Sequence, residues 1–159
     1  MTREHHYNTS TSWTGNLGKG TAEYKAYSRN HDISVEGKPP IHASSDAVFR
    51  GDPSRYSPEE LLVSSLSGCH MLWYLHLCAT HQVVVTDYAD HAMGVMEENA
   101  DGSGQFTSVT LRPQVTVSHH TMVEKAKSLH DEAHRMCFVA RSVNFSVHHI
   151  PEIRCYEKA

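Results

Sequence analysis

The 159-residue sequence lacks several features by which whole classes of protein are recognised. It has no cluster of Lys and Arg, and its 14 basic against 18 acidic residues leave no electrostatic footprint for nucleic acid. No run approaches the roughly 18 apolar residues that a membrane-spanning helix requires. The polar start, MTREHHYNTSTSW, has no basic segment followed by an apolar one, as a secretion signal would. These absences predict a cytoplasmic protein that binds neither nucleic acid nor membrane.

Cysteine is scarce, and no two cysteines form a closely spaced pair. The four residues are Cys69, Cys78, Cys137 and Cys155. The sequence contains no CxxC pair of the kind that would indicate a zinc ribbon or a thioredoxin-like site. In a reducing compartment we therefore expect four thiols, unless a reaction oxidises some of them.

The clearest structural signal is a helix start at Ser57. Ser57 is a good N-cap, Pro58 suits the first helical position, and Glu60 completes a capping box. The helix is predicted to run to about Thr80. Its apolar residues recur at spacings of three and four, at Leu62, Leu66, Cys69, Trp73 and Leu77. Small residues at positions 64–68 allow another backbone to approach closely.

Strands are predicted on both sides of this helix. Before it, residues 13–35 favour a hairpin or meander, and Ile41–Ser44 a short strand. After it, a meander of three strands is predicted at Val83–Val85, His91–Glu97 and Phe106–Val117, with a hairpin turn at residues 99–104.

A second helix and a last strand complete the pattern. Thr121 and Glu124 predict a second capping box, and the apolar spacing carries the helix to Cys137. Residues 144–150 predict a final strand. We therefore expect a single α+β domain over residues 1–159, with a mostly antiparallel sheet packed on two helices.

Helix geometry separates the cysteines. Cys78 lies nine residues after Cys69, which places it about 13 Å away on the opposite face of the helix. A disulfide needs Cα atoms within about 7 Å, so these two cannot bridge. Cys69 and Cys137 each lie on the apolar stripe of a helix, and two helices that share a core can bring them together. They are the candidate redox pair, the alternative being that Cys69 is a small core residue.

Two segments carry a family resemblance. The first combines SPEELL at residues 57–62 with SGCHM at residues 67–71, and the second is AHRMCFVA at residues 133–140. Together they resemble the signatures of the OsmC/Ohr family, the osmotically inducible and organic hydroperoxide resistance proteins, in its OsmC-like subfamily. The order of the other predicted elements is similar to that family over most of the chain.

The resemblance implies an OsmC-like fold in an intertwined homodimer with active sites at the interface. It implies a peroxiredoxin-like, thiol-dependent peroxidase that reduces organic hydroperoxides in oxidative stress defence, and no cofactor is expected. Cys69 would be the peroxidatic thiol, and Cys137 would resolve its sulfenic acid as a disulfide. A dithiol such as dihydrolipoamide or a lipoylated protein would be the reductant.

The resemblance also implies an arginine, held by a glutamate, that favours the Cys69 thiolate. Glu59 matches the glutamate. Ten residues of helix span about 15 Å and turn through about 280°, so Glu59 cannot reach Cys69 of its own chain if the helix is straight. It can serve a partner chain across a twofold axis. Arg50 is our preferred arginine, with Arg55 and Arg29 as the alternatives.

Two other readings remain open. His130, His134 and Cys137 have the i, i+4, i+7 spacing of one helix face, which could bind a divalent metal ion with one further ligand. The chain could also be a catalytically silent OsmC-like dimer. Met71, Trp73 and Phe138 could form an apolar wall for the alkyl part of a hydroperoxide, or serve only as core.

Overall fold

The computed structural model describes residues 2–155, which divide into two compact units with the boundary between Leu62 and Val63. The first unit contains a three-stranded sheet and the start of the long helix. The second contains the rest of that helix, a second helix and two further sheets. The single domain expected over residues 1–159 stays a prediction.

The first unit is built on an antiparallel meander of β1 (Ser10–Trp13), β2 (His31–Ser34) and β3 (Ile41–Ala43). The Trp13 indole N–H donates to the backbone oxygen of Ser28 at 2.8 Å. Gly15 passes so close to Ser28 that a Cβ at this position would clash with the same carbonyl. The predicted meander and the short strand at Ile41 are both confirmed.

The first helix, α1 (Pro58–Thr80), begins where the capping signal predicts. The Glu60 N–H donates to Ser57 Oγ at 3.2 Å, and the Ser57 N–H donates to Glu60 Oε2 at 2.8 Å. Two backbone donors at the helix start are therefore satisfied reciprocally. The capping box fixes the start of the helix that carries Cys69.

The second unit holds two mixed sheets and the second helix. Its sheets have the orders β4-β7-β9 and β5-β6-β8. The strands are β4 (Val85–Asp90), β5 (Met93–Glu98), β6 (Gly104–Leu111), β7 (Pro113–Val117), β8 (Ser146–His149) and β9 (Glu152–Cys155), and the helix is α2 (Val123–Met136). The pairs β4/β7 and β5/β6 are antiparallel, whereas β6/β8 and β7/β9 are parallel. The predicted α+β class, with antiparallel-rich sheets and two helices, is confirmed.

The predicted three-strand meander is wrong, because the long strand expected at Phe106–Val117 is two strands in different sheets. The break falls at Arg112, whose backbone N–H donates to the side-chain oxygen Asp90 Oδ1 at 2.6 Å instead of to a backbone carbonyl. Pro113 follows and has no N–H to donate. Only the hairpin of β5 and β6 survives from the predicted meander.

One prediction in the last third of the chain is confirmed but incomplete, and one fails. The strand predicted at residues 144–150 is β8, but it is not the last one, because β9 follows it, and each is paired in parallel with a strand that precedes α2. The second capping box does not form, because a 3-10 helix at His120–Met122 comes first and His119 accepts the Thr121 N–H. Met122, at the N-cap of α2, makes no side-chain cap bond.

Helix α1 also corrects the expectation about long apolar segments. It has 23 residues and contains an 18-residue window of mean hydropathy 1.2, which by length and composition alone is enough to cross a membrane. One such helix is weak evidence for a span, since the core helix of a soluble protein passes the same test. Of that window, 28% is buried by the chain itself, and Leu72 is the one large apolar residue of α1 that is exposed within residues 2–155.

The core of the second unit has two parts, and α1 contributes to both. Near its middle, Leu66 packs with Val109 and Leu111 of β6. Its last turns pack with β7 and α2, through residues that include Tyr74, Leu77, Val115, Val117 and Leu129. Helix α1 is therefore held by both sheets, and α2 by one.

A pair of buried histidines links α1 to α2. His70 and His130 are fully buried, with His70 Nε2 and His130 Nδ1 at 3.0 Å. The ring of Tyr74 stacks on His130 with centroids 3.8 Å apart. Burial, with a smaller effect from neighbouring histidines, lowers the pKa of His70 to about 4 and that of His130 to about 3. Both rings are therefore neutral at neutral pH.

We expect this pair to make the fold sensitive to acid. Unfolded rings take up protons near pH 6.5, whereas the folded rings do so only near pH 4 and pH 3. Above about pH 6.5 the two rings therefore do not lower the free energy of unfolding. As the pH falls from 6.5 toward 4, proton uptake by the unfolded chain lowers it progressively. With about 2.5 kcal/mol from each of the two rings, urea unfolding at pH 7 and at pH 4.5 should differ by on the order of 5 kcal/mol in the free energy of unfolding. In His130→Phe the loss should be smaller; an equal loss would show that other groups cause it.

Candidate active site

Cys69 lies in the wall of an apolar pocket beside α1. It is half-buried, and the pocket has a volume of about 590 Å³. The lining residues are mostly apolar and comprise Ser65, Gly68, Cys69, Leu72, Trp73, His76 and Phe138. The pocket thus brings a thiol into contact with a space suited to a hydrocarbon group.

The pocket wall follows from helix periodicity. Cys69, Trp73 and His76 are spaced i, i+4 and i+7, so they lie along one face of α1. Phe138, just beyond the end of α2, packs edge-on against Trp73 with ring centroids 5.5 Å apart. Trp73 and Phe138 therefore form the predicted apolar wall. Met71 does not, because two residues of helix turn it about 200° away from Cys69.

Cys137 lies at the C-cap of α2 and is only 1% exposed. Its thiol lies close enough to Cys69 for the two groups to interact, and its sulfur accepts the Ala140 N–H at 3.4 Å. Burial, followed by the contact with Cys69, raises the pKa of Cys137 to about 11. Cys137 is therefore a protonated thiol at neutral pH, next to a more accessible cysteine.

The structure thus brings together the two cysteines that the apolar stripes single out. The other two stand apart from this contact. Cys78 is buried beside Tyr74, and burial raises its pKa. Cys155 is paired with Val117 in the ladder of β7 and β9. All four cysteines are free thiols in this structure.

Two of the three candidate arginines are engaged within the first unit. Arg55 lies 3.6 Å from Asp32 and 3.7 Å from Asp52, measured between guanidinium nitrogen and carboxylate oxygen. Arg29 donates to two backbone carbonyls, at 2.8 and 3.0 Å, and its guanidinium lies over two tyrosine rings. Neither side chain is available without breaking these contacts.

Arg50 is the most available of the three. It is exposed, follows the 3-10 helix Ala47–Phe49 with a φ of +67°, and makes no ion pair within residues 2–155. Its guanidinium carbon lies 5.8 Å from the centroid of the Tyr24 ring. Glu59, in the first turn of α1, has a buried carboxylate oxygen, Oε2, with no hydrogen-bond partner in the described residues.

The metal-binding alternative has no support in the described residues. Among residues 2–155, no group of three or more His, Cys, Asp or Glu side chains is placed to hold a metal ion. His130 bonds to His70 and Cys137 contacts Cys69, so they face different partners. Their shared helix face does not make them a common ligand set.

Sequence analysis missed His76 and the pairing of His70 with His130. The position of His76 could have been found, since the i+7 spacing from Cys69 places both on one face. The histidine pairing had no signal, because the two residues are 60 positions apart and a polar residue type does not predict burial.

Comparison with known proteins places this geometry in a family. Residues 51–151 match the family model described as OsmC-like protein. An OsmC-like protein of unknown function from Vibrio cholerae has 30% identity and a TM-score of 0.84, over 94% of this chain and 100% of that one. The chain therefore belongs to the OsmC-like protein family. No curated protein matches it significantly.

More distant structures share the fold. An organic hydroperoxide resistance protein from Elizabethkingia anophelis is 13% identical with a TM-score of 0.65, over 97% of this chain and 100% of that one. A protein from Legionella pneumophila described as organic hydroperoxide resistance protein OsmC is 12% identical with a TM-score of 0.63, over 95% of this chain and 99% of that one. The resemblance stated from the sequence is confirmed at the level of family and fold.

The difference between the two thiols predicts selective alkylation. With a pKa of about 11, roughly a thousandth of Cys137 is ionised at pH 8, and the side chain is 1% exposed. We expect iodoacetamide at pH 8 to modify Cys69 at least about tenfold faster than Cys137. Peptide mapping by mass spectrometry measures both rates, with buried Cys78 as an internal slow control. Faster modification of Cys137 would contradict this description of the site.

Proposed function

We propose that this chain is a thiol-dependent peroxidase that reduces organic hydroperoxides, with Cys69 as the peroxidatic and Cys137 as the resolving cysteine. The observation that carries the proposal is the contact between these two thiols at an apolar pocket. The names of the distant structural neighbours support the substrate class. We assign the reaction to the cytoplasm, where thiols are kept reduced.

The first step uses the more accessible sulfur. The Cys69 thiolate attacks the terminal O–H oxygen of the hydroperoxide, the O–O bond breaks, and the alkoxide leaves as an alcohol after taking up a proton. Cys69 becomes a sulfenic acid. The apolar wall of Trp73 and Phe138 holds the alkyl group beside the sulfur.

The second step uses the buried sulfur. Cys137 attacks the Cys69 sulfenic acid, the new S–S bond forms, and hydroxide leaves as water with the Cys137 proton. The high pKa of Cys137 suits this order, because the thiol stays protonated until its partner is oxidised. A dithiol such as dihydrolipoamide or a lipoylated protein then reduces the disulfide by exchange.

The site is completed by a second copy of the chain. None of the seven pocket residues is Arg or Lys, so the pocket wall supplies no strong cation for the thiolate. Leu72 of α1 and Phe138, which both line the pocket, are 65% and 68% exposed. A homodimer that packs these faces together would bury apolar surface and bring in groups from the other chain.

Arg50 and Glu59 are the groups we assign to that role. Arg50 carries a charge that no carboxylate within residues 2–155 neutralises, and Glu59 has a buried oxygen without a partner. Glu59 lies ten residues before Cys69 on α1, which separates them by about 15 Å along a straight helix. In our proposal, Glu59 and Arg50 come from the same copy. Glu59 holds Arg50, and the guanidinium of Arg50 favours the Cys69 thiolate of the other copy.

Cysteine variants test the chemistry. Cys69→Ser should abolish hydroperoxide consumption, because it removes the nucleophile. Cys137→Ser should consume one equivalent per subunit and stop with a sulfenic acid on Cys69, which a dimedone probe would label. Cys155→Ser is the matched control and should turn over like the parent, with dithiol-dependent loss of an alkyl hydroperoxide as the assay.

Two results would sink the peroxidase assignment. One is full activity in Cys69→Ser. The other is a parent protein that does not react with the hydroperoxide, which would leave the catalytically silent dimer as the better description.

Arginine variants test the cross-subunit site. Arg50→Met should slow hydroperoxide reduction by about a hundredfold, in the range found when one charge-stabilising group is removed from an active site. Arg55→Met, whose cation is already paired with two carboxylates, is the control and should change the rate little.

Mixed dimers distinguish a site in which Arg50 and Cys69 come from different copies from one in which both come from the same copy. A dimer of one Cys69→Ser chain and one Arg50→Met chain retains one site with both native residues only if these come from different copies. We expect the mixture to recover activity that neither variant has alone. No recovery in a verified heterodimer would contradict the shared site.

A further inference from the structure

The helix contact that joins the cysteines also contains a second polar pair. Cys69 and His70 are consecutive on α1, and their partners Cys137 and His130 are seven residues, about two turns, apart on α2. Both pairs therefore span the same pair of helices. The spacing of α1 and α2 therefore bears on both the histidine pair and the cysteine pair.

The histidine contact allows little variation in that spacing. The His70 Nε2 to His130 Nδ1 distance is 3.0 Å, within the range of about 2.7 to 3.2 Å that hydrogen bonds from N–H groups occupy. The remaining ring nitrogens, His70 Nδ1 and His130 Nε2, are buried without a partner in residues 2–155. If the bond between the rings broke, both side chains would be buried with no hydrogen bond, which is costly.

Neighbouring rings fix the orientation of the pair. Tyr74 of α1 stacks on His130 at 3.8 Å with planes 13° apart. His149 of β8 lies 5.6 Å from His70, measured between ring centroids. On the solvent side, His149 Nε2 lies 3.4 Å from an Asp131 oxygen, so α2 and β8 are also tied together. The pair is held by packing as well as by its own bond.

Disulfide formation needs the spacing that this pair fixes. A disulfide tolerates only a narrow range of geometry, and misplaced sulfurs lose effective concentration steeply. We propose that the His70–His130 hydrogen bond is a positioning element that holds α1 and α2 at the separation at which Cys69 and Cys137 form their disulfide. Its importance for turnover rests on the proposed function, but the disulfide equilibrium itself does not.

Equilibration with reduced and oxidised dithiothreitol at pH 7 tests the proposal. The Cys69 and Cys137 thiols give two electrons and two protons to oxidised dithiothreitol, which becomes the dithiol as the protein disulfide forms. Acid quenching and peptide mapping give the equilibrium constant. No hydroperoxide is present, so the result is independent of peroxidase activity, which the parent's hydroperoxide consumption tests separately.

Two kinds of variant separate the hydrogen bond from packing. His130→Phe keeps a ring against Tyr74, and His70→Leu keeps a similar volume, but neither can form the bond. His130→Asn and His70→Gln place an amide group near Nδ1 and Nε2, respectively, and can restore it. We expect the first two to disfavour the disulfide about tenfold, which equals about 30 mV for a two-electron couple. The amide variants should recover most of this shift.

Val109→Ala is the control for general destabilisation. Val109 is fully buried with Leu66 and Leu111, in a cluster that contains neither histidine, so its truncation should lower stability while moving the equilibrium less than loss of the hydrogen bond does. Urea unfolding at pH 7 verifies that each variant compared is folded. An unchanged equilibrium in both His130→Phe and His70→Leu would overturn the proposal. So would an equal shift in Val109→Ala.

Discussion

The contact between α1 and α2 is the constraint on which the rest of the site depends. Helix α1 is fixed at its start by the capping box of Ser57 and Glu60 and along its length by two sheets. Helix α2 packs on the same core and ends at Cys137. Because both helices pack into this shared core, their meeting point decides which thiols face each other. It places Cys69 against Cys137 and His70 against His130.

This arrangement gives two identical side chains different chemistry. Cys69 borders an apolar pocket, whereas Cys137 is enclosed and has its pKa raised to about 11. A substrate can reach the first sulfur and not the second, and the second keeps its proton until the first has reacted. This difference between the two thiols follows mainly from burial, with a smaller effect on the pKa of Cys137 from Cys69. The pocket wall contains no arginine or lysine that could favour the Cys69 thiolate. The proposed site therefore requires a second chain to supply one.

Local signals were predictable from the sequence, and long-range polar contacts were not. The start and end of α1 follow from a capping box and an apolar period, and the stripes that hold Cys69 and Cys137 follow from the same period. The break at Arg112 depends on a bond to Asp90, 22 positions away, so the sequence pattern showed one long strand. The parallel pairing of β8 with β6 and of β9 with β7 is likewise set by tertiary contacts. The serines of α1 also masked how apolar the helix is as a whole.

The most direct test of the account is a count of free thiols in reduced protein before and after one equivalent of an alkyl hydroperoxide per subunit. The account predicts a fall from four thiols to two, with the lost pair mapped to Cys69 and Cys137. No loss of thiols, or a disulfide that includes Cys78 or Cys155 in place of either, would contradict it.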